Sequence, residues 1–356
     1  SDVVITGGGI GPTKDDITRE VIAEVTGREL VLHPGLLKDI EQRFRSRGYI
    51  MTSNNKRQAY VPDGAIPVHN PNGTAPSFIV ENKKGVIIAL PGVPFEMKWL
   101  FDNEVVPYLV KKFDLSDVIT FRVLKVVDMG ESAVDELIGH LIANSSNPTV
   151  GVLAHPGQVD VRIAAKASDK TEAAKLMDPV EEEVRRLLGS RVFAVDEESI
   201  EDAVGVLLRG SDKTIAVYED LTGGLVAGRL LDASPEHFLM GIIGNELMAI
   251  QRLLANSRPP VILDEPLPDA EVLAGEVARA IRSQTGADLG LVLHGIPDID
   301  DTAENLAKGR TIISLTNGSD VRSKLYKSAG RGIPDRTRMS INALELVRMA
   351  LTEWLE

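Results

Sequence analysis

The chain reads as an α/β protein of more than one domain, and three stretches of alternating signals carry that reading. Residues 1–113 alternate β-branched apolar runs with segments of helical spacing, the pattern of a sheet sandwiched by helices. Residues 118–197 carry strand and helix signals in the order β-α-β-β-α, which makes a small α+β module. From about residue 200 to 356 the α/β alternation returns. A length of 356 residues accommodates two or three domains.

In the first stretch Val3–Thr6 is a strand signal, and Asp16–Thr26 has helical spacing closed by Gly27. Pro34–Gly48 is a second helix ending in glycine, and a polar loop follows it. Phe78–Val80 and Val86–Leu90 are apolar runs separated by Asn82-Lys83-Lys84-Gly85, a hairpin signal. Pro91-Gly92-Val93-Pro94 then opens a helix to about Lys112. In the second stretch Phe121–Val127 is a strand and Glu131–Ala143 a helix. Val150–Leu153 and Val159–Ala165 are strands joined by His155-Pro156-Gly157, and Thr171–Leu188 is a long amphipathic helix. The third begins with a helix, Ile200–Arg209, and a strand, Thr214–Tyr218. Glu219-Asp220-Leu221-Thr222-Gly223-Gly224 leads into another helix. Leu289–His294 and Thr311–Leu315 are strands, Ser340–Leu355 is a closing amphipathic helix, and the Pro-rich segment 258–268 is a loop. Trp99 and Trp354 fall in helices as packing residues, and His155 and His294 read as turn or core residues.

Composition narrows the function classes. Hydrophobic residues make up 43% and charged residues 26%, as in ordinary globular proteins. A net charge of −13 opposes non-specific nucleic-acid binding, which rests on basic groups neutralising phosphates. The absence of cysteine removes disulfides, thiolate metal ligation and a cysteine nucleophile. No apolar run reaches the ~18 residues that read as a membrane span. No secretory signal is read, so a cytoplasmic location is the expectation.

The opening segment Gly7-Gly8-Gly9-Ile10-Gly11-Pro12-Thr13-Lys14-Asp15-Asp16 carries the most chemistry. Its glycines permit positive φ and close backbone approach, and the helix beyond adds partial positive charge, which suits phosphate. Two adjacent aspartates repel phosphate unless a metal ion lies between them. The same residues also describe a tight turn with solvated acids, and the spacing is not that of a Walker loop. Lys56 and Arg57, in Ser53-Asn54-Asn55-Lys56-Arg57-Gln58-Ala59, are able to clamp an anion. Asn72-Gly73-Thr74 supplies donors on a permissive turn. Leu90-Pro91-Gly92-Val93-Pro94-Phe95-Glu96 ends a strand, and Glu96 in the first helical turn either complements the dipole or reaches a metal. Ligand sites of open α/β sheets lie beyond the carboxyl ends of strands, so the two turns that follow strands are expected to converge.

Together these four segments resemble the CinA family (competence/damage-inducible protein A). The middle stretch matches too, in Gly130-Glu131-Ser132, in Asn147-Pro148-Thr149-Val150-Gly151 and in Pro156-Gly157 ahead of Val159–Ala165. The resemblance covers essentially the whole chain. It implies a molybdopterin-binding-like three-layer domain at 1–115, a small KH-like α+β domain at 116–198 and an α/β CinA C-terminal domain at 199–356. A ligand loop follows a strand with sheet neighbours, so a further N-terminal strand and helix are expected; family members begin about 60 residues earlier. The resemblance also implies a metal-dependent pyrophosphatase that hydrolyses ADP-ribose to AMP and ribose 5-phosphate, as a homodimer. Its divalent cofactor is Mg, Mn or Co, with K as a further candidate. It implicates Asp15, Asp16 and Glu96 as metal ligands, with Lys14 beside them in catalysis. Gly8, Gly9, Gly11, Thr13, Lys56, Arg57, Asn72, Gly73, Thr74, Pro91 and Gly92 fall to the substrate. A non-catalytic pterin- or nucleotide-binding protein and a dimeric scaffold are the alternatives.

The third domain is similar to nicotinamide mononucleotide (NMN) deamidase but departs from its pattern. Where the family word is Glu-Ser-Cys-Thr-Gly-Gly, this chain places Asp220 at the serine and Leu221 at the cysteine, ahead of Thr222 and Gly223. Asn245 stands at the family's tyrosine and Ile250 at its lysine. Ile250 offers no proton acceptor, and Asp220 repels a phosphorylated substrate and lacks an activating partner. The expectation is a degenerate deamidase site. Asp220 with Asp298, Asp300 and Asp301 is either a new metal site or a solvated acidic loop.

Overall fold

A computed structural model describes residues 1–244, 247–257, 259–263, 268–297, 309–327 and 332–355. The chain forms two compact units, Ser1–Ser116 and Asp117–Glu356.

The first unit runs β1 (Val3–Gly7), α1 (Thr18–Thr26), β2 (Leu30–Leu32), α2 (Pro34–Ser46), a 3-10 segment Ser53–Ala59, β3 (Tyr60–Pro62), β4 (Ile66–Val68), β5 (Ser77–Asn82), β6 (Gly85–Leu90), α3 (Pro94–Leu100), a π turn Phe101–Val105 and α4 (Val106–Lys112). The main sheet has the order β1-β6-β5-β4, and β2 pairs with β3 in a separate ribbon. β1 lies parallel to β6, and the other pairs of the main sheet are antiparallel. Alternation along β5 divides its side chains between two cores. Phe78 and Val80 join Ile10, Ile22, Leu36 and Ile40 on one face, and Ile79 joins Ile88, Leu90, Leu100 and Val105 on the other. The sheet is therefore covered on both faces, which makes the layers expected from the sequence. The single helix expected from Pro94 to Lys112 is broken instead. Pro107 has no amide to give residue 103, and the Val106 amide bonds five residues back to Phe101. Helix α1 starts at Thr18 rather than Asp16, because the Asp16 carboxylate is engaged with Thr13. Trp99 sits on α3 but is exposed, so the packing role expected for it is corrected.

The second unit holds two sheets. β7 (Val118–Val126), α5 (Glu131–Asn144), β8 (Thr149–His155), β9 (Gln158–Ala167), α6 (Lys170–Leu188) and β10 (Val192–Val195) give an antiparallel sheet ordered β10-β7-β9-β8. Its core collects Leu124, Val161 and Ile163 from the strands against Ile138 of α5 and Val184 of α6. The rest comprises α7 (Ile200–Ser211), β11 (Ile215–Glu219), α8 (Leu225–Ala233), β12 (Phe238–Ile243), α9 (Leu247–Ala255), α10 (Ala270–Thr285), β13 (Leu289–Pro297), β14 (Gly309–Thr316), β15 (Val321–Tyr326) and α11 (Ile333–Leu355). Its sheet has the order β12-β11-β13-β14-β15, with β11 parallel to both neighbours. One face packs on α7, α8 and α11 through residues such as Val204, Leu230 and Leu344, with Trp354 partly buried against it. The other packs on α9 and α10 through Leu254, Val277 and Ile281. The fold class expected from the sequence is thus the one observed.

Candidate active site

The glycine loop leaves the C-terminal end of β1 and is held from both sides. Gly8 (φ 92°) and Gly9 (φ 70°) take left-handed conformations that favour glycine. The Gly8 amide donates to the Leu90 carbonyl at 2.8 Å, tying the loop to the end of β6. Thr18, the first residue of α1, donates its amide to Gly9 O (3.0 Å) and its hydroxyl to Gly8 O (3.0 Å). Arg19 is buried beneath and donates to the carbonyls of Ile10 and Gly11.

The aspartate pair converges on one hydroxyl. Thr13 Oγ1 lies 2.5 Å from both Asp15 Oδ1 and Asp16 Oδ2, and the Thr13 amide donates to Asp16 Oδ2 at 2.8 Å. Burial pushes the Asp16 carboxyl up. Hydrogen bonds from the Thr13 side chain and amide and from the Gly11 amide, with Arg19 nearby, outweigh it and hold the group below the usual carboxylate range. Arg57 closes this end: Nη2 donates to Glu20 Oε1 at 2.7 Å and Nη1 to the Thr13 carbonyl. The other Glu20 oxygen, Oε2, is buried with no hydrogen-bond partner. Lys14 and Lys56 are exposed, and their ammonium groups form no ion pair among the described residues.

The remaining two segments meet the loop from the other side. The turn after β6 touches it, since a Cβ on Gly92 would lie 3.3 Å from Gly8 Cα. Asn70, missed as a site residue by the sequence reading, is the hub of the second turn. Its Oδ1 accepts the amides of Asn72 and Gly73, each at 3.0 Å, and its Nδ2 donates to Glu96 Oε2 at 2.7 Å. A Cβ on Gly73 would fall 1.8 Å from Glu96 Oε2, so a larger residue here displaces the Glu96 carboxylate or the turn. Gln58 Nε2 reaches Thr74 Oγ1 at 3.5 Å. All four segments picked out in the sequence thus form one connected cluster beyond the ends of β1 and β6.

Among the described residues no three His, Asp or Glu side chains gather as a metal cage. Glu96 is taken up by Asn70 rather than grouped with the aspartates. Asp15 and Asp16 on their own still offer two hard carboxylates beside a hydroxyl. Ions of the magnesium type are commonly held by one or two carboxylates together with substrate phosphates, so the pair fits a divalent ion shared with a phosphate.

The third domain holds a second polar cluster, and it corrects the sequence reading. Asp220 has a partner: its Oδ2 lies 2.7 Å from His294 Nδ1, and the Gly295 amide donates to both carboxylate oxygens at 2.9 and 3.1 Å. His294 is a partly buried residue of β13, and Asp220 satisfies its Nδ1. Glu219 is buried and accepts from Thr222 Oγ1 (2.7 Å) and from the Val226 (3.1 Å) and Ala227 (2.8 Å) amides, which occupies the first amides of α8. Burial and the Asp220 charge push the Tyr218 hydroxyl up to about 12. Gly223 adopts φ 66° and Ile250 is packed in the core beside Tyr218 and Leu254. Asn245, Asp298, Asp300 and Asp301 lie outside the described residues. His155 ends β8 and pairs with Asp160 at 3.1 Å.

Sheet, loops and appended modules define a molybdopterin-binding-like domain joined to a KH-like module and a further α/β domain. Comparison with known families matches residues 1–111 to a probable molybdopterin binding domain, 121–194 to the damage-inducible protein CinA KH domain and 197–351 to the CinA C-terminal domain. A Clostridium novyi (strain NT) protein provisionally named competence-damage inducible protein is 37% identical over 353 residues, which cover 99% of this chain and 84% of that one. A CinA-like protein of Kosmotoga olearia is 37% identical over 354 residues, covering 99% and 85%. The chain belongs to the CinA family. Among solved structures, the protein CinA with unknown function from Thermoplasma acidophilum is 34% identical, with a TM-score of 0.28 over 32% of this chain and 63% of that one. A CinA superfamily protein from Klebsiella pneumoniae is 14% identical, with a TM-score of 0.37 over 44% and 97%.

Proposed function

We propose that the first unit hydrolyses a phosphoanhydride, with ADP-ribose giving AMP and ribose 5-phosphate, and that it does so with a divalent ion (Mg, Mn or Co). The observation that carries this is the convergence of the glycine loop, the aspartate pair and two polar turns on one place beyond β1 and β6. Asp15 and Asp16 would hold the ion, which supplies charge neutralisation and a more acidic water. The Thr13 hydrogen bonds and Arg19 keep Asp16 ionised near neutrality. The close approach of Gly8 and Gly92 leaves no side chain between their backbones, so phosphate oxygens are able to reach main-chain donors. Lys14 and Lys56, which form no ion pair among the described residues, neutralise the pyrophosphate as charge builds on the leaving oxygen. Arg57 and Glu20 brace the Thr13 end of the loop, and Asn70 sets the Asn72-Gly73-Thr74 turn and keeps Glu96 at the rim. A cytoplasmic homodimer is part of this reading. The lack of cysteine accords with a reducing compartment, and the homodimer rests on the family resemblance alone.

Replacing Asp15 and Asp16 by Asn together is expected to lower AMP release by at least about a hundredfold, the scale of losing a main electrostatic element of a site. Unchanged turnover in that variant would remove the metal role. Among the described residues no three carboxylates gather as a metal cage, which favours one rival, a domain that holds a pterin or nucleotide without turnover. Calorimetry showing tight binding of ADP-ribose with no product would establish it. For the third domain we propose no NMN deamidation, since Ile250 is apolar and buried where the family pattern calls for lysine.

A further inference from the structure

Beside the proposed phosphate site a recess of about 530 Å³ is lined by Asp39, Gln42, Arg43, Ser46, Arg47 and His69. A smaller hollow shares Asp39, Arg43 and His69 with it and continues past Asn70, Gly73 and Thr74. The recess therefore leads into the very turn that Glu96 and Gln58 hold at the site.

Its charge is unusual for this chain. Arg43 and Arg47 are four residues apart at the end of α2, so they share a face. Arg45, between them, is paired with Glu41 at 3.9 Å. Neither Arg43 nor Arg47 has a carboxylate partner among the described residues. Arg43 donates to the carbonyls of Asn70 (3.1 Å) and Pro71 rather than to a carboxylate. Asp39 faces His69 instead, at 3.0 Å. Burial, and then the neighbouring Arg47 charge, pull the Arg43 guanidinium below its ordinary value, with the Glu96 charge opposing them. The helix dipole favours basic residues in the last turn of α2. It gives no reason for the two that flank the recess to be left unpaired while Arg45 is not. In a chain of net charge −13, a local positive excess at the mouth of a site attracts a small anion.

We propose that this recess binds a second phosphate, carried on the distal sugar of a nucleoside diphosphate-linked substrate. The inference rests on the phosphoanhydride reading above and names its substrate class. Arg47 donates its guanidinium fork to the phosphate, Arg43 adds charge while holding the 70–73 turn, and the Asp39 carboxylate accepts from sugar hydroxyls.

The test compares ADP-ribose with ADP-ribose phosphorylated on its distal ribose, using the whole chain with Mg²⁺. The phosphorylated compound is expected to have a KM about tenfold lower at similar kcat, the worth of one charge-assisted hydrogen bond. Arg47→Gln should collapse the ratio of the two KM values to about one, and Arg47→Glu should invert it. Arg45→Gln, a change at the neighbouring paired arginine, should leave the ratio as it is. Equal KM values in the parent, or a preference that survives Arg47→Glu, overturns the proposal. If neither compound is turned over, it is the hydrolase reading that fails. Calorimetry of the same two ligands then decides the recess: tighter binding of the phosphorylated one, lost in Arg47→Glu, supports it, and equal binding overturns it.

Discussion

Asp16 does two jobs at once, and they separate by pH. Its carboxylate caps the Thr13 turn, and the hydrogen bonds that do so hold its titration below the usual range. Such a group contributes stability that is fully present above its unfolded-state pKa and is lost as pH falls through the lowered folded value. Asp16→Asn should therefore melt earlier than the parent near pH 7, with a deficit that shrinks as thermal melts are taken below the ordinary aspartate value of about 4. A deficit independent of pH would mean that the turn does not need the charge. Gly73 makes a steric prediction at the same scale. Gly73→Ala forces Glu96 off Asn70 or moves the turn, and a cost of about 1–3 kcal/mol is expected from urea unfolding. The glycines and aspartates were legible in the sequence because their roles are local: positive φ, a turn, a carboxylate two or three residues from its donor. Asn70, Arg19 and Glu20 were not. Asn70 earns its place through Glu96, 26 residues away, and Glu20 through Arg57, 37 residues away. No periodicity reports contacts of that span. His294 was hidden for the same reason, since Asp220 is 74 residues from it.

Elements follow the sequence closely where a strong pattern and a cap agree. Helix α7 begins with a capping box, in which the Ser199 hydroxyl accepts from the Asp202 amide at 3.1 Å and the Asp202 carboxylate accepts from the Ser199 amide at 3.0 Å. Ser199→Ala should cost about 1 kcal/mol in chemical unfolding of the second unit, and a cost near zero would show that the box is idle. The hairpin β5–β6 and helices α2, α5 and α6 lie within a few residues of their sequence signals. Strands β2, β3 and β4 were passed over because they have three residues each, too few to show an alternation. The break between α3 and α4 was readable in principle from Pro107. Helical apolar spacing on both sides of it concealed the π turn that spares its missing amide.

At the scale of the whole molecule, the order of domains is that of the CinA family, and the candidate sites of the first unit and the third domain differ in character. The first unit keeps every segment of the candidate site in mutual contact. The third domain holds the buried Glu219 cap and the Asp220–His294 contact, with Ile250 packed in its core. Activity is therefore expected from the first unit. The most direct measurement is AMP release from ADP-ribose by the purified chain with Mg²⁺, Mn²⁺ or Co²⁺, each beside an EDTA control. Product that depends on the metal, and vanishes with EDTA, is the result this account predicts. No AMP with any of the three metals would contradict it and leave the first unit a binding domain.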